Sequence, residues 1–288
     1  VSGGILTNLQ PALEEEGEPA WSVIRVEGLN LPVPACWQEG RTLHLLLPGT
    51  ELNCPPLDLR VEDGVVEAIS LRSRDRGALL SVHLAFRSAG WGGWVERAGG
   101  WPERFFLRFP RRLPAEVLRG RLIFLDPAHG GEDDGARGPI NLREKDVVLK
   151  VALAAGEILS RYGVRVILSR ERDQSLSPLH RAEMARKLAP DAWIELHTGH
   201  EGRKARGYRV MAGEGREGRL GFLLHREMGA TRLPDRGMAL SSSLKGKVVL
   251  EVVNLAHPLD EALMRNPDFR KRLARRILVA LFRHFGEG

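Results

Sequence analysis

Residues 121–163 read RLIFLDPAHGGEDDGARGPINLREKDVVLKVALAAGEILSRYG, and their pattern decides the fold. The stretch opens on an apolar run, RLIFLD, of the length and character of a strand buried on both faces. A loop rich in Gly and Asp follows it. From Asp146 the apolar residues Val147, Val148, Val151, Ala152, Ala155 and Leu159 then recur at helical spacing. Strand, loop and helix in that order are one repeat of an α/β sheet.

The same rhythm continues downstream. Strand-like runs at 164–168 (VRVIL), 192–196 (AWIEL), 208–211 (YRVM) and 247–253 (KVVLEVV) are separated by helical segments at 178–189, 216–228 and 266–285. Residues 118–288 are therefore predicted to form an α/β domain, a mostly parallel sheet flanked by helices. Upstream the character changes. From Trp21 to about residue 113 come short alternating runs such as WSVIRVEGL, RTLHLLL and RFFLRF, punctuated by Gly, Pro, Asn and Asp. That pattern predicts an N-terminal all-β sandwich. Residues 1–20, with an acidic run and Pro, read as a leader or linker, and the domain boundary is expected near 113–120.

Composition narrows the function classes. Of 288 residues 43% are hydrophobic, which is enough for a sizeable core, and no apolar run reaches the ~20 residues of a membrane-spanning helix. The chain opens at Val1 without a basic stretch leading into an apolar one, so a signal segment, if one existed, is expected to have been removed. A net charge of +6 suits anionic partners, yet no basic stripe interleaved with aromatics marks a nucleic-acid groove. The only cysteines, Cys36 and Cys54, allow either one disulfide or two unpaired thiols.

Polar residues in the C-terminal half suggest chemistry. His129 follows the first strand, Glu144 opens the first helix, and His197 ends the run AWIEL. Two imidazoles and a carboxylate are the ligand set of a hydrolytic zinc site, with a fourth position left for water or a carbonyl oxygen. Ligands in such sheets collect beyond the carboxyl ends of strands, which is where these residues fall. Glu251 lies inside the apolar strand VVLEVVNL, where an ionisable group is costly without a partner or a task. It is the candidate proton carrier. Each residue taken singly has a structural explanation: a loop histidine, a carboxylate at a helix N-terminus, a strand glutamate paired with Arg.

Together these segments resemble the zinc-dependent N-acetylmuramoyl-L-alanine amidases of the type 3 class. DPAHGGEDDGARGPINLREKD follows the family's opening Asp-Pro-Gly-His-Gly-Gly and its later Glu-Lys-Asp. SPLHRAEMA looks like its Leu-x-x-Arg helix, WIELH like its Ser-x-His strand, and VVLEVVNLAHPLDEALMRNPDF like its Val-Glu-x-Gly-Phe segment with the following Asn-Pro helix. The resemblance implies one zinc ion held by His129, Glu144 and His197, with Glu251 as catalytic acid and base. The implied reaction cleaves the amide between the lactyl group of N-acetylmuramic acid and L-alanine of peptidoglycan, outside the cytoplasm. His200, Arg181 and Asp126 are candidates for substrate contacts or for supporting the ligands. The chain departs from the family at Ala128, at Thr198, Gly199 and His200, and in a shortened span before Glu251. The β module is similar to the AMIN targeting domains, which implies peptidoglycan or envelope and division partners, and Trp91, Trp94 and Trp101 are candidates for stacking on sugars. Two other readings are a catalytically silent peptidoglycan-binding or regulatory protein and another zinc peptidase on the same fold.

Overall fold

The structure, a computed structural model, describes residues 3–14, 21–61, 63–74, 77–85, 95–98, 100–110 and 112–286. The chain divides into two compact units, Val1–Leu113 and Pro114–Gly288.

The first unit consists of strands β1 (Gly4–Glu14), β2 (Trp21–Leu29), β3 (Ala35–Glu39), β4 (Thr42–Pro48), β5 (Thr50–Leu52), β6 (Leu57–Arg60), β7 (Val66–Arg74), β8 (Gly77–Leu84), β9 (Val95–Ala98) and β10 (Glu103–Pro110). They form two five-stranded sheets, ordered β5-β1-β2-β10-β9 and β3-β4-β8-β7-β6. Alternation buries Leu43, Leu45 and Leu47 on β4 and Phe105, Leu107 and Phe109 on β10, and on β8 it buries Ala78, Leu80 and Val82, with Ser81 buried between the last two. Period-two burial on both sheets is the pattern of a β-sandwich.

Strand β1 corrects the expected leader. It pairs antiparallel with β2 from Ile5↔Leu29 to Glu14↔Trp21, and a register shift between Leu6 and Asn8 breaks the pleat. The shift turns Leu6 and Leu9, three residues apart, to the interior. Alternation is therefore absent from the sequence of a strand that is really there. Cys36 and Cys54 are both unpaired thiols. Trp101 is 83% exposed, while Trp91 and Trp94 lie outside the described residues.

Helix α1 (Arg112–Leu118) spans the boundary, and the second unit continues with β11 (Leu122–Pro127), α2 (Glu144–Ser160), β12 (Arg165–Leu168), α3 (Pro178–Leu188), β13 (Ala192–Gly199), β14 (Tyr208–Ala212), α4 (Arg216–Gly229), β15 (Asp235–Leu240), β16 (Val248–Asn254), α5 (Pro258–Arg265) and α6 (Pro267–Gly286). Its sheet runs β12-β11-β13-β16-β14-β15. The sheet is mixed, where the sequence rhythm predicts a mostly parallel one. Strands β12, β11, β13 and β16 are mutually parallel, and β14 runs antiparallel to β16. Residues 200–207 join β13 to β14 without a helix, and parallel strands need a crossover of roughly a dozen residues or more. The chain therefore reverses there.

Helix α2 packs on β11, β12 and β13, and α4 on β14, β15 and β16, with α6 against both helices. Their apolar stripes close over Ile123, Leu125, Ile194, Leu196, Val248, Leu250 and Val252, all fully buried. No helix among the described residues is long and apolar enough to cross a membrane. Because β11, β13 and β16 are parallel neighbours, their carboxyl ends share one edge of the sheet. That edge carries the polar residues singled out from the sequence.

Candidate metal centre

His129 follows β11 by two residues and holds a left-handed backbone, φ 62°. A non-glycine residue in that region is uncommon and worth a functional question. The family-pattern departure at Ala128, just before it, keeps a negative φ, so its methyl group imposes no backbone strain. Gly135 (φ 65°) brings the loop back over the site, and a Cβ there would stand 2.6 Å from the His129 ring and 2.7 Å from Glu144 Oε2. Only glycine fits.

Glu144 is the first residue of α2 and is 3% exposed. Its Oε2 accepts from the backbone N–H of Ala136 at 2.8 Å, and its Oε1 from that of Thr198 at 2.8 Å. His129 Nε2 lies 3.2 Å from Oε2 and His197 Nδ1 3.2 Å from Oε1. The two imidazoles thus bracket one carboxylate, with ring centroids 5.5 Å apart and planes at 88°. One ligand atom from each of the three side chains falls within 4.8 Å of the others. Burial alone would raise the Glu144 carboxyl, but both imidazoles and both amides outweigh it and hold it well below the usual carboxylate range. His129 is raised chiefly by its bond to Glu144. Burial opposes protonation of His197, yet Glu144 and Glu195 together lift it to about 9. Two imidazoles crowded on one buried carboxylate are a donor set that a divalent cation fits, since one doubly charged ion replaces both protons.

Glu251 stands opposite His197 in the β13–β16 register. In-register neighbours on parallel strands are ~4.8 Å apart and point to the same face, so this carboxylate borders the cluster. Its Oε2 accepts from Arg236 on β15 at 2.5 Å, and Arg236 also lies 3.2 Å from Glu201. Gly199 leaves room for this pair: a Cβ there would stand 2.4 to 2.7 Å from the Arg236 guanidinium, so a side chain would have to displace it. At Gly199, one of the positions where the chain departs from the family pattern, the space is taken by an arginine. Asp126, 1% exposed, accepts from Ser169 Oγ at 2.6 Å and lies 3.5 Å from Arg181. Burial raises its carboxyl above the ordinary value, against the pull of Arg181. Neither residue belongs to the His129–Glu144–His197 cluster, and His200 is exposed just beyond β13.

Several supporting residues escaped the sequence reading. Arg170, 2% exposed, donates from Nε to the Pro127 carbonyl and from Nη2 to those of Ala128 and Lys145, tying the end of β11 to the start of α2. Asp260 and Glu261, both fully buried in α5, clamp two loops beside the site. Asp260 accepts from Gly207 N–H and Arg206, and Glu261 from the N–H groups of Ile140 and Leu142. First-turn acids after Pro258 look like ordinary helix-terminus charge, so nothing local marks them. Glu195 escaped it too, although its place two residues before His197 on a strand is a local signal that could have found it.

Comparison with known proteins supplies the relationship. The family model described as N-acetylmuramoyl-L-alanine amidase matches residues 123–283. The germination-specific N-acetylmuramoyl-L-alanine amidase of Bacillus subtilis is 44% identical over 82 residues, 28% of this chain and 33% of that protein. AmiA of Salmonella typhimurium is 39% identical over 93 residues, 32% of each chain. The chain thus spans about a third of the length of these curated relatives. The catalytic domain of CwlV, an N-acetylmuramoyl-L-alanine amidase from Bacillus (Paenibacillus) polymyxa var. colistinus, superposes with a TM-score of 0.53 at 26% identity, covering 56% of this chain and 95% of that one.

Proposed function

The chain belongs to the N-acetylmuramoyl-L-alanine amidase family, and from that premise we propose that it is a zinc-dependent peptidoglycan amidase. It hydrolyses the amide between the lactyl group of N-acetylmuramic acid and L-alanine of the stem peptide, outside the cytoplasm. The observation that carries this reading is the convergence of His129, Glu144 and His197 on one point at the sheet edge, with Glu251 beside it. His129, Glu144 and His197 would hold the ion, which when bound supplies a Lewis acid toward the carbonyl and lowers the pKa of water.

The remaining steps belong to this chain's own side chains. Arg236 holds Glu251 by Oε2, so Oε1 is the oxygen that takes a proton from the attacking water as the new C–O bond forms. The same oxygen returns that proton to the nitrogen as the C–N bond breaks, and the products are a free carboxylate and a free amine. Thr198 and Ala136 keep the Glu144 carboxylate fixed through their amides, so the ligand geometry exists before substrate arrives. The β unit, expected from sequence over residues 21–113 and extended by β1, is assigned as an AMIN-like domain that brings residues 118–288 to peptidoglycan or to envelope and division partners.

Digestion of purified peptidoglycan, with products read by mass spectrometry, tests the reading. The expected products are stem peptides with a free L-alanine amine, lost on chelation and restored by zinc. Cleavage within the peptide, or no cleavage with zinc bound, would reject it.

A further inference from the structure

We propose that Glu195, anchored by Lys247, is the positioning residue that fixes the ring of His197 and leaves its Nδ1 bare for the metal. The assignment rests on reading the His129–Glu144–His197 cluster as a metal site. Glu195 and His197 are two apart on β13 and so share a face of the sheet. The His197 ring is held at both nitrogens: Nδ1 lies 3.2 Å from Glu144 Oε1, and Nε2 lies 3.2 Å from Glu195 Oε1. Both nitrogens face carboxylate oxygens, which only accept; where a cation replaces the proton between His197 and Glu144, the hydrogen that remains is the one on Nε2 toward Glu195, and Nδ1 is the bare nitrogen. The two ring nitrogens point in diverging directions. Glu195 therefore orients the ligand and does not join it on the ion.

Glu195 is itself held in place. Lys247 Nζ bonds its second oxygen, Oε2, and rests 5.2 Å from the centroid of the Trp193 ring. The side chain of Glu195 is 12% exposed and that of Lys247 24%, so the pair is largely sheltered from solvent. Across the sheet Asp126 is in register with Glu195 and takes Arg181 as its own partner, which leaves Lys247 as the cation beside Glu195. The other histidine has a comparable partner, since Asp133 Oδ2 lies 2.8 Å from His129 Nδ1. That aspartate is on an exposed loop, its side chain 66% exposed, whereas Glu195 is built into a central strand. Where the family pattern places Ser two residues before the histidine, this chain has a carboxylate with its own counter-ion. A carboxylate on the far nitrogen of a ligating imidazole fixes the tautomer and makes the ligand more basic.

The test is zinc affinity, measured by competition with a chromophoric chelator, for the wild-type chain and for Glu195→Leu, Glu195→Gln and Lys247→Met. Visible absorption of the cobalt-loaded proteins is recorded beside it. Glu195→Leu is expected to weaken zinc binding ~10- to 100-fold and to shift the cobalt bands. Glu195→Gln keeps an acceptor oxygen at the same place and falls between the two, which a loss of fold would not produce. Lys247→Met weakens binding by less than Glu195→Leu. If the wild type binds zinc and Glu195→Leu matches it within about twofold with unchanged cobalt bands, the positioning role is overturned while the metal site stands. If the wild type takes up no zinc at all, the metal-site reading itself fails, and this role with it.

Discussion

The two units of this chain bury different things. Among the described residues the N-terminal β unit hides chiefly Leu, Val, Ile and Phe, with Ser22, Thr50, Asp63 and Ser81 as its buried polar residues. The C-terminal unit hides Asp126, Glu144, Lys145, Arg170, Arg181, Glu227, Asp260, Glu261, Arg276 and Arg283. Burying an ion is costly unless it is paired, so a unit that does it this often is arranged for something other than cohesion. Most of these charges gather at the carboxyl edge of the sheet, where they fix loops around His129, Glu144 and His197. One cluster sits elsewhere: Glu227 on α4 is paired with Arg276 and Arg283 of α6. It joins two helices and touches no candidate ligand, which shows that a buried charge alone does not mark a site.

The contrast breaks if damage to either unit has the same consequence. The largest effect is expected from His129→Ala, which removes a ligand: zinc by elemental analysis falls well below stoichiometry and amidase activity disappears. Glu251→Gln comes next. The ligands remain, so metal content holds while kcat drops ~10²- to 10⁴-fold, the range for removal of a general acid-base group. Activity of this variant within a few-fold of wild type would take the proton-carrying role away from Glu251. Arg236→Met should act in the same direction but more weakly, since Glu251 keeps its proton chemistry and loses only its tether.

A core substitution in the β unit should act oppositely. Leu80 is fully buried on β8, and Leu80→Ala is expected to destabilise that unit by about 2–5 kcal/mol. Denaturant unfolding should show it, with zinc content unchanged at low denaturant. Loss of metal from the folded variant would mean that the two units do not divide cohesion and chemistry in this way.

Legibility follows the same division. Strands with clean period-two burial, such as β4 and β10, were readable from sequence, and so was α2 with its apolar stripe. Strand β1 was not, because its bulge hides the alternation, and neither was the reversal into β14, which depends on a missing crossover rather than on any residue type. The site divides similarly. His129, Glu144, His197 and Glu251 stand at strand ends, at a helix start or inside an apolar strand, positions that sequence rules can flag. Arg236, Asp260 and Glu261 act on groups far away along the chain: Arg236 on Glu251, Asp260 on Gly207, and Glu261 on Ile140. No local pattern announces such a partner.

The smallest effect is a change in the sign of a pH dependence, and it compares the site with itself. In the metal-free protein His197 is raised to about 9 by Glu144 and Glu195, against an unfolded value of roughly 6.5. A group whose folded pKa lies above its unfolded one stabilises fully below the unfolded value and loses that contribution as pH climbs through the folded one. Chelated protein should therefore melt progressively lower between about pH 6.5 and pH 9 on account of this residue. Glu144 and Glu195 are depressed, so their contribution is present above the ordinary carboxylate range and is lost only as pH falls into acid. With zinc bound the slope reverses over the same interval, because protons compete with the ion for the imidazoles and each step up in pH favours the loaded state. Melting curves of chelated and zinc-loaded protein across that interval should diverge as pH rises. Parallel curves would show that no metal displaces the protons held at His129 and His197.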